Sequence, residues 1–217
     1  MNKVPVYFVP GLGASTAIFE NLQLPEDQYQ TYFLDWLVPE SLKESIEDYA
    51  RRMCARIQHE RPVLIGVSFG GIMVQEMGKH IETRKTIIIS SVKSSKELPK
   101  RLKLAKATKA YKLFPTKSIT NIEDFSKYAF GDFAKKRVEM YKKYMSMRDE
   151  TYLPWALHNV LHWKQDHPSE NLVHIHGNAD GVFPIKHIKE CIAIDGGTHV
   201  MILNKAKKIS RLLVEHI

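Results

Sequence analysis

Short apolar runs recur along the chain, each four to six residues long and bounded by polar or turn-forming residues. Runs of this length that are rich in Val, Ile and Leu are typical of strands buried in a parallel sheet. The pattern predicts six buried strands, at Val4–Val9, Tyr29–Leu34, Val63–Val67, Lys85–Ser90, Leu172–His176 and Cys191–Ile194.

Helical periodicity separates most of these runs. Ser45–Glu60 carries apolar side chains at helical spacing, and Phe69–His80 and Ala206–Ile217 show helical patterns as well. Strands that alternate with helices predict βαβ units and a mostly parallel sheet, and right-handed crossovers place helices on both of its faces. The predicted fold class is therefore α/β, with a sheet of about six strands.

The alternation breaks after the fourth predicted strand. Residues 93–166 contain no convincing strand pattern, and we expect them to form a helical cap inserted into an α/β core of residues 1–92 and 167–217. Such a cap would cover the carboxyl edge of the sheet, where ligands bind in open α/β folds. Helical patterns within the insertion cover residues 96–114, 121–147 and 151–166, the second dividing into two helices near Gly131–Asp132.

Composition places the chain among soluble globular proteins. Of its 217 residues 44% are hydrophobic, and no apolar run approaches the ~18 residues that span a bilayer. We expect a cytoplasmic protein without stable membrane insertion, because the first residues make a poor signal peptide. Cys54 and Cys191 have neither metal-site nor disulfide-framework spacing, and we interpret them as buried structural thiols.

The positive charge is unevenly placed. The net charge is +8, and Lys93–Arg148 holds 16 of the 32 Lys and Arg residues but only 5 of the 24 acidic ones. A basic surface of this kind attracts anionic partners, although a solvated helical face would have the same composition.

The third predicted strand ends in the sequence Gly66-Val67-Ser68-Phe69-Gly70, directly before a helical pattern. A strand, G-x-S-x-G and a helix form the pattern of a nucleophile elbow, in which a tight turn exposes a serine beyond the sheet. Side chains at Gly66 and Gly70 would collide in that turn, and the helix directs backbone N–H groups towards the serine. Ser68 is therefore the candidate nucleophile; the alternative is an ordinary strand-to-helix turn built from small residues.

A serine nucleophile needs a base, and the base needs an acid to orient it. Asp180 lies four residues past the fifth predicted strand, and His199 lies just beyond the sixth. Both are at carboxyl ends of strands, at the same edge as Ser68, and the chain order Ser, Asp, His is the order used with a nucleophile elbow. Because its loop context matches, Asp180 is preferred to three other acidic residues, Asp35, Asp166 and Asp195.

With GVSFGG around Ser68, HGNADGVFP around Asp180 and GGTHVMI around His199, the chain resembles the α/β-hydrolase fold superfamily in its capped form. The resemblance covers nearly the whole length. It implies a serine hydrolase that cleaves an ester or thioester through an acyl-enzyme, with no cofactor and no metal. By the matching positions, it assigns the backbone N–H groups of Leu12 and Phe69 to an oxyanion hole.

The chain departs from the family pattern in two places. Many members have His-Gly after the first strand, where this chain has Pro10-Gly11-Leu12-Gly13, which makes the assignment of Leu12 depend on the backbone alone. The N-terminal antiparallel strand pair of many members is missing. The resemblance therefore implies a minimal α/β-hydrolase fold with about six strands.

The helical cap implies an enclosed apolar pocket for the acyl group. Trp155, His158 and His162, together with Trp163, are candidate lining residues on one helical stretch, and ordinary cap packing is the alternative. The basic exterior favours a small acyl ester or thioester with an anionic leaving group or carrier. An acyl-carrier protein at the cap would fit, as in the pimeloyl-ACP methyl ester esterases that this architecture also resembles.

Other interpretations are weaker. The first loop imitates a dinucleotide fingerprint, but Thr16 replaces its third glycine. His174 and His176 share a strand face without further metal ligands at recognisable spacing, so core packing or tethering of a loop is favoured. His158 and His162 lack the glutamate of H-E-x-x-H. A non-catalytic ligand-binding protein and a lyase with the same triad remain alternatives, whereas nucleic-acid binding is disfavoured because the cap is mostly lysine with scattered tyrosine.

Overall fold

The computed structural model of the protein describes residues 3–109 and 143–217. Six strands in these residues form one sheet: β1 (Val4–Val9), β2 (Tyr29–Phe33), β3 (Val63–Val67), β4 (Lys85–Ile89), β5 (Leu172–Gly177) and β6 (Ile192–Ile194). Their order in the sheet is β2-β1-β3-β4-β5-β6, and every neighbouring pair is parallel. The prediction of an α/β fold with six strands is confirmed.

Helices cover both faces of the sheet, as predicted. The helices are α1 (Ile46–Cys54), α2 (Phe69–Met77), α3 (Lys100–Thr108), α4 (Tyr152–His162), α5 (Met201–Asn204) and α6 (Ala206–His216). On β3, Leu64 packs into the core on the face of α1, α2 and α4, and its neighbour Ile65 packs into the opposite core beneath α5 and α6. Burying one such side chain contributes about 2 kcal/mol.

The first helix is shorter than predicted. The Oγ atom of Ser45 caps its start by accepting the Asp48 N–H at 3.0 Å, but α1 ends at Cys54 and not at Glu60. The next residues leave the helix, and the ring of His59 bonds to the hydroxyls of Tyr7 and Tyr32 on neighbouring strands. A tertiary contact that helical periodicity does not record therefore ends α1 early.

The prediction that all six strands are buried is wrong for the two edge strands, β2 and β6. Ala193 in β6 is exposed, and Phe33 at the end of β2 is 46% exposed. The ring of Phe33 packs against those of Phe8 and Phe19, at 5.5 and 6.0 Å between centroids. An apolar strand sequence specifies neither its rank in the sheet nor its neighbours, and these decide how far it is buried.

The two ends of the predicted cap meet. The Ser94 Oγ and the Ser95 N–H both donate to the carbonyl oxygen of Gln165, at 2.8 and 3.0 Å. Helices α3 and α4 lie inside the first and last predicted helical stretches. The stretch around Gly131–Asp132 lies outside the described residues, and the boundaries of the cap at 93 and 166 stay a prediction.

None of the helices in residues 3–109 and 143–217 is both long enough and apolar enough to cross a membrane. The cytoplasmic location stays a prediction.

Candidate active site

Ser68 lies in the turn between β3 and α2, with φ 53° and ψ −116°. This region is unfavourable for a residue with a side chain and costs on the order of 1–3 kcal/mol. A Cβ atom on Gly66 would lie 2.1 Å from the Gly70 carbonyl oxygen, and one on Gly70 would lie 2.3 Å from that of Pro10. The predicted collision at both glycines is confirmed, and the turn closes only because neither position has a side chain.

Two hydrogen bonds from neighbouring segments hold this turn. The Ser68 N–H donates to the carbonyl oxygen of Ile89 at 2.9 Å, and the Oγ atom of Ser91 donates to the Ser68 carbonyl oxygen at 2.7 Å. Ser91 is fully buried just after β4. Sequence reasoning did not single it out, although its place beyond the end of the neighbouring strand was a usable signal.

His199 joins Ser68 to Asp180. Its Nε2 atom lies 2.9 Å from the Ser68 Oγ, and its Nδ1 atom lies 2.9 Å from Oδ2 of Asp180. The histidine side chain is 22% exposed, whereas that of Asp180 has no exposed surface. The ring of Phe183 meets the imidazole edge to face at 5.5 Å. The serine and the histidine are therefore open to a ligand, and the aspartate is closed to it.

Both carboxylate oxygens of Asp180 have hydrogen-bond partners. Oδ1 accepts the N–H groups of Val182 and Phe183 at 2.7 and 2.8 Å, while Oδ2 faces His199. Burial by itself raises the pKa of this carboxyl group, but the hydrogen bond and charge of His199 and the Phe183 N–H outweigh burial. The pKa of Asp180 is lowered, so the group is a carboxylate at neutral pH.

A glycine pair brings the loops of Asp180 and His199 together. A Cβ atom on Gly177, at the end of β5, would lie 2.1 Å from the Gly197 carbonyl oxygen. The same oxygen accepts the Ala179 N–H at 2.9 Å. The doubled glycine before Thr198-His199 therefore allows the loop of His199 to contact β5, a contact that the sequence pattern did not predict.

The two strand histidines tether the Asp180 loop. His176 Nε2 donates to the Phe183 carbonyl oxygen at 2.8 Å, and His174 Nε2 donates to His176 Nδ1 at 3.1 Å. Burial lowers the pKa of both groups, so both are neutral. The interpretation of His176 as a loop-tethering residue is confirmed. Among the described residues, no group of three or more His, Cys, Asp or Glu side chains is arranged to hold a metal ion.

The first loop runs beside the serine. A Cβ atom on Gly11 would lie 3.6 Å from the Ser68 Cβ, so the peptide that joins Gly11 to Leu12 is next to the nucleophile. The Leu12 N–H has no protein acceptor within the described parts of the chain. Phe69 is the first residue of α2, and its N–H has no intrahelical partner. Both candidate oxyanion donors thus remain available to a ligand.

Two aromatic side chains form hydrogen bonds with the backbone of the first loop. The Trp36 Nε1–H donates to the Gly11 carbonyl oxygen at 2.9 Å, and the Tyr152 hydroxyl accepts the Gly13 N–H at 3.4 Å. Neither residue was predicted to act at the site. The signal for Trp36 was its position in the loop that follows the carboxyl end of β2, three residues past Phe33. Tyr152 offered no signal, because it approaches from α4, far along the chain.

The predicted pocket residues on α4 lie in different surroundings. Trp155 is 1% exposed, and its ring packs against that of Tyr49 with 4.2 Å between centroids. Its indole N–H donates to the Glu44 carbonyl oxygen at 2.9 Å, and these contacts match the alternative of ordinary packing. His158 is exposed and His162 half-buried, with their rings stacked 4.0 Å apart. A pocket role for these three residues stays a prediction.

The acidic residues that competed with Asp180 lie in other surroundings. Asp195 is exposed and accepts the Asn178 amide at 2.8 Å. Asp166 is exposed and pairs with Lys96 at 3.2 Å. Asp35 is also exposed, and its backbone carbonyl oxygen accepts a bond from an arginine side chain.

No protein-family model matches the sequence, and no curated protein matches it. Solved structures do match. A lipase-esterase related protein from Clostridium acetobutylicum has a TM-score of 0.66 at 16% identity, over 98% of this chain and 94% of that one. An extracellular α/β-hydrolase from a Paenibacillus species has a TM-score of 0.63 at 12% identity, over 98% of both chains. The chain has the α/β-hydrolase fold.

A third structure agrees with this assignment. The 2-hydroxy-6-oxo-6-phenylhexa-2,4-dienoate hydrolase from a Rhodococcus strain matches the α/β-hydrolase fold of this chain with a TM-score of 0.63 at 16% identity, over 99% of this chain and 90% of that one. Similarity at these identities establishes the fold. Within it, Ser68, Asp180 and His199 lie at the carboxyl edge of the sheet, where α/β folds bind their ligands.

Proposed function

We propose that this protein is a serine hydrolase that cleaves a carboxylic ester or thioester through an acyl-enzyme. The observation that carries the proposal is the unbroken series of hydrogen bonds from Asp180 through His199 to Ser68, both of them 2.9 Å long. A serine in this arrangement can transfer its proton to the imidazole as it attacks a carbonyl carbon.

The proposed reaction has two halves. Ser68 Oγ attacks the acyl carbon while its proton passes to Nε2 of His199, and His199 then gives this proton to the leaving group. Water, activated by the same imidazole, releases the acid from the acyl-serine. Asp180 holds the Nδ1–H tautomer and stabilises the imidazolium, a role that its lowered pKa supports.

The negative charge that develops on the carbonyl oxygen needs donors. The N–H groups of Leu12 and Phe69 are proposed to supply them, since both lie next to Ser68 and neither has an acceptor among residues 3–109 and 143–217. One such donor stabilises the transition state by about 3 kcal/mol.

An anionic leaving group or carrier is proposed on the basis of charge. Helix α3 has no acidic residue in its first turn, and its lysines form no ion pair with a carboxylate of residues 3–109 or 143–217. A CoA thioester or an acyl-carrier protein would be attracted to this face. The basic side chains on and just after α3 are Lys100, Arg101, Lys103, Lys106 and Lys109.

Steady-state hydrolysis tests the reaction. Wild type, Ser68→Ala and Ser90→Ala are assayed on p-nitrophenyl esters and acyl-CoA thioesters. Ser90 is a matched control, because it is buried at the next strand end and also has a positive φ of 50°. We expect Ser68→Ala alone to lose turnover. Retained turnover in purified Ser68→Ala would exclude the proposal, and an inactive wild type would favour a ligand-binding protein.

Salt dependence tests the proposed carrier. For an acyl-CoA, KM should rise several-fold as ionic strength increases from low to physiological, while KM for a neutral ester stays constant. Lys100→Gln with Lys106→Gln should weaken that dependence. The matched pair, Lys207→Gln with Lys208→Gln on exposed positions of α6, should leave it unchanged. A salt-independent KM would refute electrostatic attraction of the substrate.

A further inference from the structure

Trp36 connects the two halves of the candidate oxyanion hole. It lies three residues past the end of β2, is 8% exposed, and donates through Nε1 to the Gly11 carbonyl oxygen at 2.9 Å. Its ring also stacks on the side chain of Phe69, with 5.1 Å between centroids and 20° between planes. One side chain therefore contacts both the loop that carries the Leu12 N–H and the residue that carries the second donor.

The geometry of the peptide bond gives this contact its meaning. In a planar trans peptide, the C=O and the following N–H point in opposite directions. A hydrogen bond that holds the Gly11 C=O against Trp36 therefore turns the Leu12 N–H away from the indole. Gly11 itself lies against Ser68, since a Cβ atom on Gly11 would be 3.6 Å from the serine Cβ.

The Gly11 carbonyl oxygen has two donors. Besides the Trp36 indole N–H it accepts the Ala14 N–H at 3.0 Å, which closes a turn within the first loop. Gly11 and Gly13 flank Leu12, and glycine has access to more of the backbone map than other residues, so this turn is less restricted than one between other residues. The Trp36 hydrogen bond adds a second constraint on the Gly11–Leu12 peptide, and the weaker contact of the Tyr152 hydroxyl with the Gly13 N–H at 3.4 Å holds the end of the loop.

We infer that Trp36 is a positioning residue: by holding the Gly11 carbonyl, its indole N–H points the Leu12 N–H at the oxyanion beside Ser68. The inference rests on the proposed function. Trp36 touches no reacting atom in this account. Its effect is confined to the transition state, because a ground-state ester carries little charge on the oxygen that the Leu12 N–H meets.

The test removes the donor and keeps a ring. Trp36→Phe retains an aromatic side chain over Phe69 but has no N–H for Gly11. We expect kcat to fall about 10-fold, less than the 100- to 1000-fold typical of losing a donor outright, with KM changed less than twofold. The inhibition constant of a boronic acid, which forms a tetrahedral adduct with serine, should rise by the same factor as kcat/KM falls.

A matched control separates positioning from stability. Tyr7→Phe removes the hydroxyl of another buried aromatic side chain, which bonds to Nδ1 of His59 at 2.7 Å and accepts the Gln58 N–H at 3.2 Å, outside the first loop. It should lower the unfolding temperature at least as much as Trp36→Phe and leave kcat unchanged. If Trp36→Phe does not fold, benzothienylalanine at position 36 supplies the same ring shape with sulfur in place of the N–H, and the same kinetic losses are expected.

The outcomes are distinct. Unchanged kcat and boronate affinity in folded Trp36→Phe, or an equal loss of kcat in Tyr7→Phe, would overturn the inference while leaving the hydrolase assignment intact. A wild type without Ser68-dependent turnover would overturn the proposed function and this inference with it. Parallel losses of kcat/KM and boronate affinity, limited to position 36, would support it.

Discussion

The substitution Asp180→Asn replaces one carboxylate oxygen of the candidate site by an NH2 group. The Oδ1 atom of Asp180 accepts two backbone N–H groups, from Val182 and Phe183. The oxygen of an asparagine must remain there, since its NH2 group would face two donors. The NH2 then faces Nδ1 of His199, where two donors also cannot bond unless the histidine shifts its proton to Nε2. In that tautomer His199 cannot accept the proton of Ser68.

The magnitude follows from this change of tautomer. Orientation of the imidazole by a buried carboxylate accounts for about 10⁴ in kcat in a serine triad, and here the carboxylate is fully buried with one bond of 2.9 Å to the ring. We expect kcat/KM to fall about 10⁴-fold, which is about 5 kcal/mol of transition-state stabilisation. KM should change little, because no ground-state contact with the substrate is lost.

The assay is initial-rate hydrolysis of a p-nitrophenyl ester at pH 8, with enzyme concentrations high enough to measure the residual rate. Asp195→Asn is the matched control: it makes the same substitution four residues before His199, at an exposed carboxylate bonded to Asn178. Its activity should equal that of the wild type. Activity of Asp180→Asn within tenfold of wild type, or equal losses in both variants, would refute the reasoning.

Three further predictions concern stability and reactivity. Gly66→Ala places a Cβ 2.1 Å from the Gly70 carbonyl oxygen and should lower the unfolding free energy, measured in urea, by about 3 kcal/mol or more. Gly181→Ala has open space around its Cβ and should lower it by less than about 0.5 kcal/mol. Equal losses in the two variants would contradict the packing argument. Because burial lowers the pKa of His174, the unfolded chain binds a proton first as pH falls, and stability should decline below about pH 6.5. In paired urea titrations at pH 5.5 and 7.5, His174→Gln should show a smaller decline than wild type, and an unchanged decline would count against this source. Burial raises the pKa of Cys54 to about 11, so iodoacetamide at pH 8 should label this thiol in urea but not in the folded protein. Mass spectrometry measures the labelling, and rapid labelling of the native protein would contradict the burial of Cys54.

Much of the fold follows from local pattern. Strands β3 and β4 are buried on both faces, so their unbroken apolar runs were sufficient to predict them. The edge position of β2 was not predictable in this way, because it depends on which strands pair. The early end of α1 also depends on a contact between elements, in which His59 bonds to Tyr7 and Tyr32.

The candidate site likewise contains residues that the sequence predicted and a residue that it did not. Ser68, Asp180 and His199 were predicted from the ends of strands, since parallel strands bring their carboxyl ends to one edge of the sheet. Trp36 acts on Gly11, 25 residues earlier, through a single hydrogen bond that no motif encodes. Sequence spacing does not predict a hydrogen bond between a side chain and a backbone group so far apart in the chain, so only the folded structure showed this contact.

The central claim is that Ser68 is a nucleophile activated by His199, and labelling with a fluorophosphonate tests it most directly. Wild type, Ser68→Ala and His199→Ala are incubated with the probe, and the adduct is located by mass spectrometry of the intact chain and its peptides. The account predicts one adduct per wild-type chain, on the peptide that contains Ser68, and none in either variant. An adduct that persists in Ser68→Ala, or a wild type that stays unlabelled, would contradict it.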